Sequence, residues 1–206
     1  MKIRGVEFAG AVARPGDPAP ATLPQIAFCG RSNVGKSSLI NRFLGRTRKQ
    51  VARVSATPGK TQQINFYRVR AELSGGADAQ FLLADLPGYG FAQVPLAVRH
   101  AWRPLIESYL SSAPDLRGVV QLIDIRRDPQ TDDQKMLAFL SELGLPTLVV
   151  LTKADKLPVS QQRARAEELV RALELDAEQV VAVSARTGDG CETLSAGLDA
   201  LLGETQ

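Results

Sequence analysis

The 206-residue sequence predicts an α/β domain of three layers, a mostly parallel sheet with one antiparallel strand between layers of helices. Three observations lead there. Short apolar runs alternate with stretches of helical spacing from residue 25 onward. Two of those runs flank SGGAD, a hairpin turn, which makes one strand antiparallel in an otherwise parallel sheet. A Gly-rich turn joins the first core run to the first helix, where folds of this kind bind ligands.

The elements follow in order. A Pro-rich lead, residues 1–22, precedes a single domain over 23–206. Residues 25–29 (QIAFC) read as a short buried strand. SLINRFL, Ser38 to Leu44, has helical spacing at Leu39, Ile40, Phe43 and Leu44. Residues 45–61 keep no period and read as a long mobile connection. Ile64 to Leu73 and Gln80 to Asp85 form the hairpin. A helix over Val98 to Ser111 leads to strand 118–124, and a helix from Thr131 to Leu143 opens with Thr131 and Gln134 as a capping box. Strand 147–151, helix Ser160 to Leu173, strand 179–183 and helix Cys191 to Leu202 complete the alternation.

The turn itself, GRSNVGKS, fits G-x-x-x-x-G-K-[ST], a phosphate-binding loop. Its residues are Gly30, Arg31, Ser32, Asn33, Val34, Gly35, Lys36 and Ser37. Glycines at 30 and 35 let backbone N–H groups converge on an anion, and the helix N-terminus adds positive potential. Lys36 can reach the β- and γ-phosphates, and the Ser37 hydroxyl can ligate Mg²⁺. The predicted architecture is thus a P-loop NTPase fold.

Four more segments lie where that fold places a nucleotide. DLPG (Asp85, Leu86, Pro87, Gly88) ends a buried strand, so Asp85 can hold Mg²⁺ through water and the Gly88 N–H can meet the γ-phosphate. TKAD (Thr152, Lys153, Ala154, Asp155) follows another strand. The Asp155 carboxylate can accept from N1–H and the exocyclic amine of guanine, a donor pair adenine lacks; the Lys153 stem would pack along the base. VSA (Val183, Ser184, Ala185) ends the last strand, with the Ala185 N–H available to guanine O6. TPGKTQ supplies Gly59, Lys60, Thr61 and Gln62; the Thr61 hydroxyl is preferred over Thr57 for completing the Mg²⁺ shell, because it lies next to the following strand. Taken in chain order, loop, TPGKTQ, DLPG, TKAD and VSA, the five segments read as a GTPase binding GTP and GDP.

Composition sets the limits. With 44% hydrophobic and 23% charged residues, the chain is ordinary for a soluble domain, and no apolar run approaches the roughly 18 residues of a membrane span. Glu7 interrupts the first apolar stretch, so no signal peptide is expected. One histidine, His100, and two distant cysteines, Cys29 and Cys191, leave no room for a catalytic triad or zinc site; the cysteines read as buried reduced thiols. The net charge of +3 conceals a block from Pro18 to Ala71 without an acidic residue. Its ten basic residues, Arg42 among them, suit polyanions: phosphates and RNA.

GRSNVGKSSLIN, TPGKTQQINFY, DLPGYGFA, TKADKL and the terminal VSA together resemble the EngB/YihA/YsxC family of bacterial GTPases, in the Era-like, translation-factor-related group. The resemblance runs from about Leu23 to Leu202. It implies a cytoplasmic, Mg²⁺-dependent GTP-binding protein, a role in assembly of the large ribosomal subunit with its rRNA, and a requirement in cell division and septation. The default expectation for oligomeric state is a monomer. Two rivals are weaker: a P-loop ATPase or kinase would lack Asp155, and an RNA-binding module with a degenerate site would not keep every phosphate-contacting segment.

Two positions depart from the common GTPase pattern. Thr152 stands where most have Asn, and Tyr89 follows Gly88 where many carry the glutamine that orients the attacking water. Slow turnover and a switch role follow. Lys36 and Asn33 are left as catalytic candidates. Related Era-like GTPases with Asn at the position of Asn33 use K⁺ against the phosphates, so the resemblance implies K⁺ here; the alternative is that Asn33 only shapes the loop. Turnover faster in KCl than in NaCl at equal ionic strength, with the difference lost in Asn33→Ala, is the expected result. Equal steady-state rates in the two salts would leave Asn33 as a loop-shaping residue.

Overall fold

The computed structural model describes residues 1–46, 51–52, 63–89 and 96–203, and of residues 96–102 the backbone alone. Seven strands form one sheet in the order β1-β3-β4-β2-β5-β6-β7. They are Lys2–Val12 (β1), Gln25–Gly30 (β2), Ile64–Glu72 (β3), Asp78–Asp85 (β4), Leu116–Asp124 (β5), Thr147–Thr152 (β6) and Val180–Ala182 (β7). The helices are Lys36–Phe43 (α1), Leu96–Ser112 (α2), Thr131–Glu142 (α3), Val159–Ala172 (α4) and Cys191–Gly203 (α5).

β2 lies at the centre, parallel to β4 on one side and to β5 on the other. All six residues of β2 are buried, as a strand covered on both faces requires. The chain leaves β2 through α1 toward β3 and β4, then returns past β2 to β5. That reversal puts a crevice at the carboxyl end of β2, the usual ligand position in open α/β sheets.

The sheet has two covered faces. On one, Leu39, Ile40, Phe43 and Leu44 of α1 and Leu194 and Leu198 of α5 pack on Ile26, Phe28, Val120 and Val150. On the other, α2 and α3 meet β2 and β4 through Leu105, Ile106, Leu110 and Leu140, and α4 adds Leu169 against Val149 and Leu151. Each such fully buried aliphatic contributes about 1.5–3 kcal/mol relative to exposure. The three layers are those the sequence predicts.

The predicted hairpin is β3 and β4, paired antiparallel from Asn65–Asp85 to Glu72–Asp78. β3 is the one reversed strand. A second antiparallel pairing was not foreseen: residues 2–12, inside the Pro-rich lead, form β1 along the outer edge of β3. Irregularities between Ile3 and Gly5 and between Phe8 and Gly10 break its alternation, which hides a strand from a period-two reading. The α3 cap is also shifted by one residue. Gln130, in extended conformation, is the N-cap, and its N–H donates to Asp133 Oδ2 (3.0 Å), not the expected Thr131 and Gln134. Cys29 is buried and free as expected, whereas free Cys191 is only partly buried, because it opens α5 at the edge of the core.

α1 carries a polar residue on its buried face. The Asn41 amide donates to the Ala52 carbonyl (2.8 Å) and its oxygen accepts from Val51 N–H (2.9 Å) and Ala52 N–H (3.0 Å). Part of the connection expected to be mobile is thus pinned: Ala52 is fully buried, and the Tyr67 hydroxyl donates to the Val51 carbonyl (3.3 Å). The rest of that connection, 47–50 and 53–61, lies outside the described residues. Asn41→Ala leaves three backbone groups unpaired, the two of Ala52 buried and that of Val51 partly so, and should cost about 2–3 kcal/mol. In thermal unfolding that is a drop in Tm of roughly 5–10 °C; a drop under about 1 °C would show the contacts to be incidental.

Candidate functional site

The loop between β2 and α1 takes its shape from backbone torsion and from its neighbours. Gly35, the N-cap of α1, sits at φ 105°, a region closed to residues with a Cβ. Val34 N–H closes a turn onto the Arg31 carbonyl (3.1 Å), and Leu39 N–H begins the helix by donating to the Gly35 carbonyl (2.9 Å). The first N–H groups of any helix have no partner within it, so Lys36 and Ser37 open α1 with donors facing the crevice.

Lys36 crosses the mouth of that crevice to Asp85 at the end of β4, and its ammonium bonds the Asp85 carboxylate. Both side chains are largely buried. An anion at the loop would compete with Asp85 for this lysine.

Two strand ends support the loop from the far side. The Thr152 hydroxyl donates to the Val34 carbonyl (2.7 Å) at the end of β6. Lys153, with φ 62°, donates from Nζ to the Asn33 carbonyl (2.7 Å) and pairs with Asp124 (2.9 Å) at the end of β5. Arg126 pairs with the same carboxylate through two nitrogens (2.9 and 2.8 Å). Burial would raise the Asp124 pKa, but hydrogen bonds from Arg126 and Lys153 outweigh it and hold the group ionised. Asn33 is itself in the left-handed region at φ 62°, which Asn adopts more readily than most residues.

Beyond the loop lies a cavity of about 340 Å³ between TKAD and VSA, lined by Gly35, Leu39, Lys153, Asp155, Val183 and Ala185. The Ser184 hydroxyl donates to Asp155 Oδ1 (2.7 Å) and Arg186 Nε donates to Oδ2 (2.8 Å). Those two bonds lower the Asp155 pKa and keep it an anionic acceptor. Ala154 N–H donates to the Val183 carbonyl (3.0 Å), which ties the two segments together.

On the phosphate side, Leu86 N–H donates to the Phe28 carbonyl (3.1 Å), and Gly88 lies against Ser32. A Cβ at Gly88 would sit 2.8 Å from Ser32 Oγ and 3.1 Å from its backbone N. A side chain here would push Ser32 aside, so glycine gives the closest approach. Tyr89 then runs beside the loop: Ser32 N–H donates to its carbonyl (2.9 Å), and its own N–H donates to the Gly30 carbonyl (3.3 Å). Its hydroxyl donates to Asp133 Oδ1 (3.1 Å) and accepts from the Gln121 amide. Burial raises the pKa of both Tyr89 and Asp133, so the tyrosine stays neutral.

The structure thus gathers residues 30–37, 85–88, 152–155 and 183–185 around one crevice. Gly59, Lys60, Thr61 and Gln62 lie outside the described residues. Three participants were absent from the sequence reading as site residues. Asp124 carried a signal, since it ends a buried strand as Asp85 does. Asn41 carried a weaker one, a polar residue on an apolar helix face. Arg42 was read only as part of the basic block.

The sequence profile of a family described as 50S ribosome-binding GTPase matches residues 25–153. "Probable GTP-binding protein EngB" of Gemmatimonas aurantiaca is 51% identical over 98% of this chain and 95% of its own. The protein of the same description from Syntrophus aciditrophicus is 48% identical over 94% of this chain and 93% of its own. The crystal structure of a probable GTP-binding protein EngB superposes with a TM-score of 0.66 at 27% identity, covering 88% of this chain and all of that one. Era bound to MgGDPNP and a fragment of 16S ribosomal RNA shares the fold, with a TM-score of 0.70 at 24% identity over 89% of this chain and 58% of that one.

Fold, loop and profile together define a P-loop GTPase. The chain belongs to the EngB family of GTP-binding proteins.

Proposed function

We propose that the chain is a slow, Mg²⁺-dependent GTPase that works as a nucleotide-controlled switch in assembly of the large ribosomal subunit. The observation that carries the guanine reading is Asp155, an ionised carboxylate at the edge of a nucleoside-sized cavity. Each residue has a role in this account. Gly30, Arg31, Ser32, Asn33, Val34 and Gly35 form the loop around the phosphates, its shape held by the Ser32 and Val34 N–H bonds, and the start of α1 turns its N–H groups to the anion. Lys36 exchanges Asp85 for the β- and γ-phosphates. Gly88, with Leu86 and Pro87 behind it, senses the γ-phosphate, as do Gly59 to Gln62. Thr152 and Lys153 brace the loop and the base, and Asp155 and the Ala185 N–H read the guanine edge.

The residues fit Mg²⁺. Ser37 opens α1, and the buried Asp85 carboxylate is bound to Lys36 of the same turn, so both donors are hard oxygens. Among the described residues no cluster of three or more acidic, His or Cys side chains could form an all-protein metal cage. In this reading the ion is held by one or two protein oxygens together with phosphates, Ser37 and Thr61 being the direct ligands and Asp85 acting through water. When bound, Mg²⁺ neutralises charge on the β- and γ-oxygens. Asn33 is the candidate ligand for K⁺, while its φ of 62° equally supports a loop-shaping role.

Tyr89 does not replace the missing glutamine in this account. Its hydroxyl is engaged with Asp133 and Gln121, and slow intrinsic turnover follows. The ribosomal reading rests on the family description and on basic residues in the segment 18–71. No helix among the described residues is long and apolar enough to cross a membrane. A requirement in cell division would be a downstream consequence.

Asp155→Asn tests the base reading. The amide donates to the C2 carbonyl of xanthine and accepts from N1–H, so GDP should bind at least about a hundredfold more weakly while XDP gains. Unchanged GDP affinity by fluorescence titration would remove Asp155 from the base site. The ribosomal reading predicts that the protein co-sediments with large subunits in amounts that differ between GTP analogue and GDP. Equal or absent co-sedimentation in both states would contradict a nucleotide-controlled partner.

A further inference from the structure

We propose that Arg42 is the positioning residue of the base pocket: from the last turn of α1 it holds the backbone of Ala185 and Arg186, and so sets the Ala185 N–H against the base. The inference rests on the assignment of Asp155 and Ala185 as guanine readers.

Arg42 Nε donates to the Ala185 carbonyl (2.7 Å), and its terminal nitrogen donates to the Arg186 carbonyl. The two carbonyls belong to successive peptides, and a planar guanidinium is suited to bonding two acceptors in a fixed relation. On the other side Ser184 N–H donates to the Asp189 carbonyl (2.9 Å), and the Ser184 hydroxyl is fixed to Asp155 (2.7 Å). The peptide carrying the Ala185 N–H therefore lies between two anchored neighbours. Within the loop, Thr187 N–H donates to Ser184 Oγ (3.1 Å) and Gly188 N–H to the Ser184 carbonyl (2.8 Å). These bonds set the turn's shape but not its position relative to α1. Arg42 supplies that position.

A plain structural reading is that Arg42 completes the C-terminal end of α1, where a cation is favoured. That role needs no bond to residues 185 and 186. Arg42 also lies on the helix whose first residues are Lys36 and Ser37, so one rigid element carries the phosphate loop at one end and the base-loop clamp at the other. A shift of α1 would be felt by both halves of the nucleotide.

The test uses the full chain with GDP and with 6-thio-GDP, by calorimetric titration. Sulfur in place of O6 weakens the acceptor for the Ala185 N–H and leaves the N1–H and amine for Asp155. Wild-type protein should prefer GDP by roughly fivefold, the value of one ordinary hydrogen bond. In Arg42→Met, which keeps the apolar stem, GDP should weaken by about the same factor and 6-thio-GDP much less, so the preference falls toward one. Arg42→Lys should recover part of it. Both ligands draw on the same folded population, so the ratio is unaffected by a loss of stability. An Arg42→Met protein that keeps the wild-type ratio overturns the proposal, whatever its Tm. A wild-type protein indifferent to the sulfur overturns the assignment of the Ala185 N–H to O6, and the proposal with it.

Discussion

Everything at the nucleotide end of this molecule depends on where α1 sits. The helix is short, Lys36–Phe43, and on its own would be unstable in water. Its apolar face holds it: Leu39 and Ile40 are fully buried against the central strands. From that position it directs Lys36 at Asp85, Asn41 at residues 51 and 52, and Arg42 at residues 185 and 186. Lys36, residues 51 and 52, and the loop at 185 and 186 are thus tied to a single element.

The same arrangement supports the proposed reading of a switch. Gly88 lies close against Ser32, and Tyr89 is bonded to the loop through its backbone and to the core through its hydroxyl. In the proposed switch, a γ-phosphate arriving beside Gly88 would rearrange these contacts at the end of β4. The hydroxyl is buried among Gln121 and Asp133 and is not available to orient water. Whatever completes hydrolysis comes from another group.

Much of the fold was legible because its signals are local. Buried strands of β-branched and Leu residues, the SGGAD turn and the Gly-Lys-Ser start of α1 each announce themselves within a few residues. β1 was not legible, since its bulges break the alternation, and its pairing with β3 is a contact across some sixty residues. The candidate site divides in the same way. The loop, Asp85, TKAD and VSA are contiguous motifs at strand ends. Arg42 bonds residues 143 and 144 positions away, and Tyr89 reaches Asp133 44 positions on; no spacing rule announces such partners. The basic block was read too uniformly for that reason, because Lys36 and Arg42 are directed inward and Arg68 pairs with Glu7 across β1 and β3 (3.3 Å).

The central claim, that α1 transmits what happens at the phosphate loop to the base loop, is tested most directly by hydrogen exchange of the full chain with Mg²⁺ and saturating inorganic pyrophosphate, which carries no base. The account predicts slowed exchange at residues 30–37 together with slowed exchange at 51–52 and 183–186. Protection confined to residues 30–37, with the other two segments exchanging as in the free protein, would contradict it.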